Sequence, residues 1–289
     1  MKRARGSAKK SRRRDKDQQA MKNPCKVHYK FADMVGDLEN NGWGKDILTE
    51  QIESAFCNIG VSFLQLRPYF NLIIKVTEIF REATGLMSYS ELDGLISVGL
   101  FARTAGCFFG AARLSFSGQQ TESWALLRAC IENSLYAHYV FGNPELAQIW
   151  SDRHKSKNNK KKCKNEFTIK KVFTALELRS ISIAKEAKES YDMTIDFGAH
   201  PNERSLFPNL EEKQDGHGFV LNIFNNEPYI MRSTMVIIAT ISSLVFKIFA
   251  LIYPDVFKHP NLAIKIKNLE NEIKPLLHVV TERLSPGVN

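Results

Sequence analysis

The chain has 289 residues, 44% of them hydrophobic and 10% aromatic, enough to bury the core of one large or two small domains, which excludes a wholly disordered protein. Its net charge of +9 is uneven: residues 1–30 carry twelve Lys and Arg against Asp15 and Asp17 (net +10), residues 153–171 carry nine against Glu166 (net +8), and the remainder is mildly acidic at −9. The five cysteines, Cys25, Cys57, Cys107, Cys130 and Cys163, are odd in number, widely spaced and without a CxxC pair. They indicate neither a disulfide framework nor a zinc ribbon, and a reducing, cytoplasmic setting is expected.

Residues 1–22 are basic, polar and aperiodic, and are expected to form a disordered arm ahead of a helical domain over 23–289. Lys2, Arg3, Arg5, Lys9, Lys10, Arg12, Arg13 and Arg14 are dense enough to bind nucleic-acid phosphates without regard to sequence, by releasing counterions. The competing reading is a solubilising or targeting tail. No aromatic side chain interleaves with these charges, which argues against base stacking on a single strand. No apolar stretch follows them, so a secretory signal is not expected.

The segment NNGWG at 40–44 reads as a turn into a helix from about Asp46. There Ile52, Phe56, Ile59, Phe63 and Leu66 form the best amphipathic pattern in the chain, ended by Pro68. The next helix, over 69–84, turns Leu72, Ile73, Val76, Ile79 and Phe80 inward and stops at Gly85. From about Ser90 to Phe116, Gly94, Gly99, Gly106 and Gly110 suit close approach by a neighbouring helix.

Residues 119–141 read as the central helix. Trp124, Leu127, Ile131, Leu135 and His138 make one core stripe, bordered by Thr121, Arg128, Glu132 and Tyr139. Arg128 and Glu132 are i,i+4 neighbours, either an ion pair at a helix interface or the wall of a polar pocket. After Gly142, Asn143 and Pro144 start a short helix to His154. Residues 155–164 are expected to be an exposed lysine-rich loop or frayed helix end, offering Lys160, Lys161 and Lys162 to phosphates.

A helix over 165–190 should follow, and then a long irregular segment at 191–228, punctuated by Gly198, Pro201 and Pro208, with 218–224 as a short hairpin strand. Residues 229–253 are apolar for nearly their whole length, long enough to span a membrane. Lys247 lies inside the run and no second run is comparable, so a buried core helix is expected, with no stable membrane insertion. A charged amphipathic helix over 261–284, with Ile264, Leu269 and Ile273 on its apolar face and a kink at Pro275, closes the chain. The expected fold is all-α, a single bundle of seven to eight helices with at most one β-hairpin, and homo-oligomerisation stays open.

Several catalytic signatures are missing from the sequence: GxxxxGK[ST], HExxH, GxSxG, and GxGxxG after a strand. No cofactor is indicated. The helical HEPN nucleases carry an Arg followed four to six residues later by His, and none of the seven histidines here has that partner. The strongest site candidate is AHPNER at 199–204, where His200, set before a proline, could act as a general acid or base. Its alternative role is structural, a hydrogen bond to the central helix, for instance through Glu132. His217 could join His200 and Glu203 at a metal, but no ligand spacing supports this, so no metal site is assigned.

GQQTESWALLRACIENSLYAHYV, followed by PELAQIW with Arg153 and the distant GAHPN, resembles a family of bacterial all-helical proteins known only as a domain of unknown function. The resemblance covers residues 92–253. It implies a helical bundle in which Glu122, Arg128, Glu132 and His200 converge, in the style of bacterial stress or phage-defence proteins, and implies no reaction. Two functional expectations result: a cytoplasmic bundle that binds nucleic acid through its basic segments, or a HEPN-like hydrolase or nuclease with a pocket of Arg128, Glu132 and His200.

Overall fold

A computed structural model describes residues 31–213 and 216–284, so the arm and its eight candidate phosphate-binding side chains lie outside the described residues. The chain divides into two compact units, Met1–Glu53 and Ser54–Asn289. In the first, helix α1 (Phe31–Asn40) is followed by a turn to Asp46, whose carboxylate accepts the Thr49 N–H at 3.0 Å and caps the start of α2 (Ile47–Gln65). The boundary between the units falls within α2.

The second unit is built around three long helices: α4 (Leu92–Ser117), α5 (Gln120–Val140) and α11 (Pro228–Ile252). Helices α3 (Arg67–Leu86) and α13 (Pro260–Leu284) pack on α11, while α8 (Ile169–Arg179) and α9 (Ile181–Thr194) pack on α5. Between α5 and α8 run α6 (Pro144–Ser151) and α7 (Lys157–Glu166). Short α10 (Glu203–Leu206) and α12 (Pro254–Phe257) fill connections. One antiparallel hairpin pairs β1 (Leu210–Glu212) with β2 (Phe219–Leu221), Leu210 opposite Leu221.

The class is therefore all-α. Thirteen α-helices occur among the described residues rather than seven to eight: Ser156, Thr168 and Ser180 cap α7, α8 and α9, and the short helices α1, α10 and α12 make up the rest. The expected helix over 165–190 breaks at Ser180, which is extended (φ −159°, ψ 106°) and whose Oγ accepts the Ile183 N–H to start α9. Pro68 does not end a helix; the break is at Leu66, and Pro68 sits in the first turn of α3, where its missing N–H has no partner to lose.

The α4–α5 turn needs Gly118, whose φ is +94°; a Cβ there would meet Asn226 Oδ1 at 2.6 Å. Its carbonyl accepts the Asn225 N–H at 2.7 Å, which fastens the helical hairpin to the loop before α11. Of the α4 glycines, Gly110 permits the close approach to α5, with Leu126 in the place of its side chain, whereas Gly99 and Gly106 face open space.

Seventeen of the 25 residues of α11 are buried, so its all-round apolarity is used against neighbours on every side. Phe246 meets Phe80 edge-on at 4.7 Å and Phe249 meets Phe101 likewise, pairs each contributing about 0.5–1.5 kcal/mol beyond their burial. Lys247 reaches both carboxylate oxygens of Glu186 at 3.0 Å. Helix α4 also has the length and apolarity of a membrane span, so α11 is not alone in that respect.

The apolar series on α2 is a correction. Leu66 is buried and Ile59 packs on the core, but Ile52 is exposed, Phe56 is 60% exposed and Phe63 is 40% exposed. On α13 the expected face holds through Leu269 and Ile273, while Ile264 is exposed; Pro275 lies inside the helix.

Candidate functional site

Three elements bring Arg128, Glu132 and His200 together. On α5 the core stripe of Trp124, Leu127, Ile131 and Leu135 is buried, which leaves the bordering strip, with Arg128 and Glu132, half-buried at the helix edge. Helix α9 supplies Tyr191. Its end then widens into one turn of π-helix (Ile195–Ala199), a form that recurs at functional sites.

The segment after α9 is held at several points. A Cβ at Gly198 would lie 2.2 Å from the backbone oxygen of Thr121, so only glycine lets the chain pass this close to α5. Phe197 stacks on Trp124 at 5.2 Å, and the Arg204 guanidinium lies 5.5 Å from the Phe197 ring centre. Asn202 forms a capping box with Ser205 and donates from Nδ2 to the Ile195 carbonyl at 3.1 Å. Pro201 keeps His200 extended (φ −136°, ψ 149°). His200 thereby meets the central helix.

Its partner is Arg128 and not Glu132. Arg128 Nη1 donates to His200 Nε2 at 2.8 Å, Nη2 donates to Tyr191 Oη at 2.8 Å and Nε donates to Glu132 Oε1 at 2.9 Å. Tyr191 Oη closes the ring by donating to Glu132 Oε1 at 3.2 Å. A guanidinium only donates, so Nε2 of His200 is an acceptor and the imidazole is the tautomer protonated on Nδ1. Burial opposes the charge on Arg128, but the Glu132 hydrogen bond and the neighbouring Tyr191 and Glu132 outweigh it and hold its pKa above the ordinary value. Burial, then the Glu132 carboxylate, pushes the Tyr191 phenol up, so it stays protonated.

Three of the five Arg128 N–H groups are used in this ring, and its side chain is 25% exposed, so among the described residues two donors remain for an anionic group. Glu122 is exposed and joins no hydrogen bond or ion pair with the ring among the described residues; Tyr191 stands where the resemblance implied an acid. Tyr191 was missed because it lies at a helix end with no sequence pattern to tie it to α5. Among the described residues no three His, Cys, Asp or Glu side chains gather as metal ligands.

Tyr191 also lines a groove of about 600 Å³ between α8 and α9, together with Phe173, Lys170, Lys185 and Lys188. Glu177 and Asp192 line it too, so the groove is only slightly basic. The denser charge lies just before it in the chain. The expected lysine-rich loop is in fact helix α7, capped by Ser156, whose Oγ accepts the Asn159 N–H. Cys163 anchors it by burial, while Lys157, Lys160, Lys161, Lys162 and Lys164 are exposed. None of these five has a carboxylate partner among the described residues; Glu166 pairs instead with Lys171 at 2.9 Å. Like charges at i,i+4, as in Lys157–Lys161 and Lys160–Lys164, oppose helix formation by about 0.2–0.5 kcal/mol per pair.

The chain matches no protein-family model, no curated protein and no solved structure.

Proposed function

We propose that the protein binds nucleic acid through its backbone phosphates, using α7 and the basic N-terminal segment. The observation that carries this reading is the set of five unneutralised lysines on one ordered helix. Gathering like charges on one helix opposes its formation, and the dense basic field that results attracts phosphates. The reading takes α11 as a core helix, supported by its burial between α3, α4, α5 and α13. The test is a binding titration across salt with the full chain and with Lys160→Glu/Lys161→Glu/Lys162→Glu. Loss of affinity in the variant supports the reading, and unchanged affinity refutes it.

A second reading, phosphodiester hydrolysis at Arg128, Glu132 and His200, is favoured by one observation: Arg128 keeps two N–H donors beside an imidazole whose Nδ1–H has no partner among the described residues. Bound nucleic acid cut by the wild type and left intact by His200→Ala would support it, and intact nucleic acid with both proteins would remove it.

A further inference from the structure

Cys107 on α4 and Cys130 on α5 are 23 positions apart in sequence but face each other across the most intimate helix pair in the fold. Cys130 is 3% exposed, with its sulfur 3.5 Å from the Thr104 carbonyl. Cys107 is half-buried, its sulfur accepts from Asn133 Nδ2 at 3.8 Å, and the Cys130 thiol is its neighbour on α5. Thr104 and Cys107 stand one turn apart on α4, as do Cys130 and Asn133 on α5, so each helix gives a sulfur and a polar group to the other.

The two sulfurs are not equivalent. The Cys130 hydrogen bond, helped by the Arg103 charge and the Asn133 amide, brings the Cys107 thiol down to about 6, against the opposing effect of burial. The hydrogen bond it gives to Cys107, and then its full burial, push Cys130 the other way. The sulfur that solvent can reach is that of Cys107, which also has the Asn133 amide donor, whereas Cys130 is closed off from solvent. Cys163 is buried with its thiol pushed up by burial, and Cys57 is exposed with no second sulfur beside it among the described residues.

We propose that Cys107 and Cys130 are a hydroperoxide-reactive pair, Cys107 taking the oxidising oxygen and Cys130 resolving it to a disulfide that joins α4 to α5. The Cys107 thiolate attacks the terminal oxygen of a hydroperoxide ROOH. An S–O bond forms and the O–O bond breaks; its electron pair leaves as RO⁻, which takes a proton from water to give ROH. The sulfur has lost two electrons and is a sulfenic acid. Cys130 then attacks that sulfur, an S–S bond forms, the S–O bond breaks, and hydroxide leaves as water with the Cys130 proton. Two thiols and ROOH become a disulfide, ROH and water.

The test uses the full-length protein with hydrogen peroxide as the probe, peptide mass spectrometry as the readout and Cys57 as the internal comparison. The wild type is expected to link the Cys107 and Cys130 peptides with loss of two hydrogens, reversed by dithiothreitol. Cys130→Ser is expected to stop at the sulfenic acid and take up dimedone at position 107, and Cys107→Ser to leave Cys130 as a free thiol. Wild-type protein that remains unlinked, with Cys107 oxidised no faster than Cys57, overturns the proposal. Because the wild-type measurement needs no substitution, a variant that fails to fold does not rescue it.

Discussion

Arg128 holds Glu132, Tyr191 and His200 with three separate N–H groups, and that division of labour makes the site sensitive to single substitutions. Lysine keeps the charge but lacks the planar fork, so Arg128→Lys should behave almost as badly as Arg128→Ala, each costing about 1–3 kcal/mol in a denaturant titration. A lysine variant as stable as wild type would mean that the ring contributes nothing to stability. Gly198→Ala puts a methyl group into the Thr121 carbonyl, and overpacking of this kind costs about 1–3 kcal/mol or more, with His200 displaced from Arg128.

His138 behaves differently, because its Nδ1 is buried without a partner among the described residues and burial, with Arg179, holds its pKa below 6.5. The unfolded chain then takes up the proton more readily, so this contribution to stability is present above about pH 6.5 and is lost as the pH falls below it. Thermal melts from pH 8 to pH 5 should fall less steeply for His138→Leu than for wild type; parallel curves would contradict the assignment. At this scale the resemblance implied that Glu122, Arg128, Glu132 and His200 converge; Arg128 does contact Glu132 and His200, while Glu122 stays outside the ring among the described residues. The sequence could not show that Tyr191 joins them or that Cys107 faces Cys130, since both pairings are set by how separate helices meet rather than by any spacing along the chain.

Among the elements, the long helices were legible to within a residue or two: α3, α5 and α13 follow the period of their apolar residues, α11 its continuous apolar run and α4 its glycine-rich stretch. The misreadings have two physical causes. Capping decides where polar helices begin and end, so Ser156, Thr168 and Ser180 turn an expected loop and one long helix into α7, α8 and α9. Amphipathic periodicity says that a helix has an apolar face but not that anything covers it, which is why Phe56 and Phe63 of α2 are exposed. Helix α7 offers an element-scale prediction. Replacing Lys160, Lys161 and Lys162 by Glu removes like-charge repulsion, so the helix should persist and the melting temperature should hold or rise slightly, while nucleic-acid binding falls. A variant that loses far-UV circular dichroism would instead make the lysines structural.

For the whole molecule, charge is segregated: a mildly acidic body carries two basic additions, and α7 is the one among the described residues. The body is held by a core in which α11 is enclosed by α3, α4, α5 and α13, with Lys247 matched by Glu186 at the helix edge. The five lysines of α7 lie outside that core, exposed at the surface. The most direct test is the affinity of the full-length protein for a short DNA duplex, measured from low to moderate salt, beside the Lys160→Glu/Lys161→Glu/Lys162→Glu variant. Binding through phosphates predicts affinity that falls steeply as salt rises, with a log–log slope about 3 units shallower in the variant, since each phosphate contact contributes about 0.9. Affinity indifferent to salt, or equal slopes for the two proteins, would contradict phosphate binding through α7.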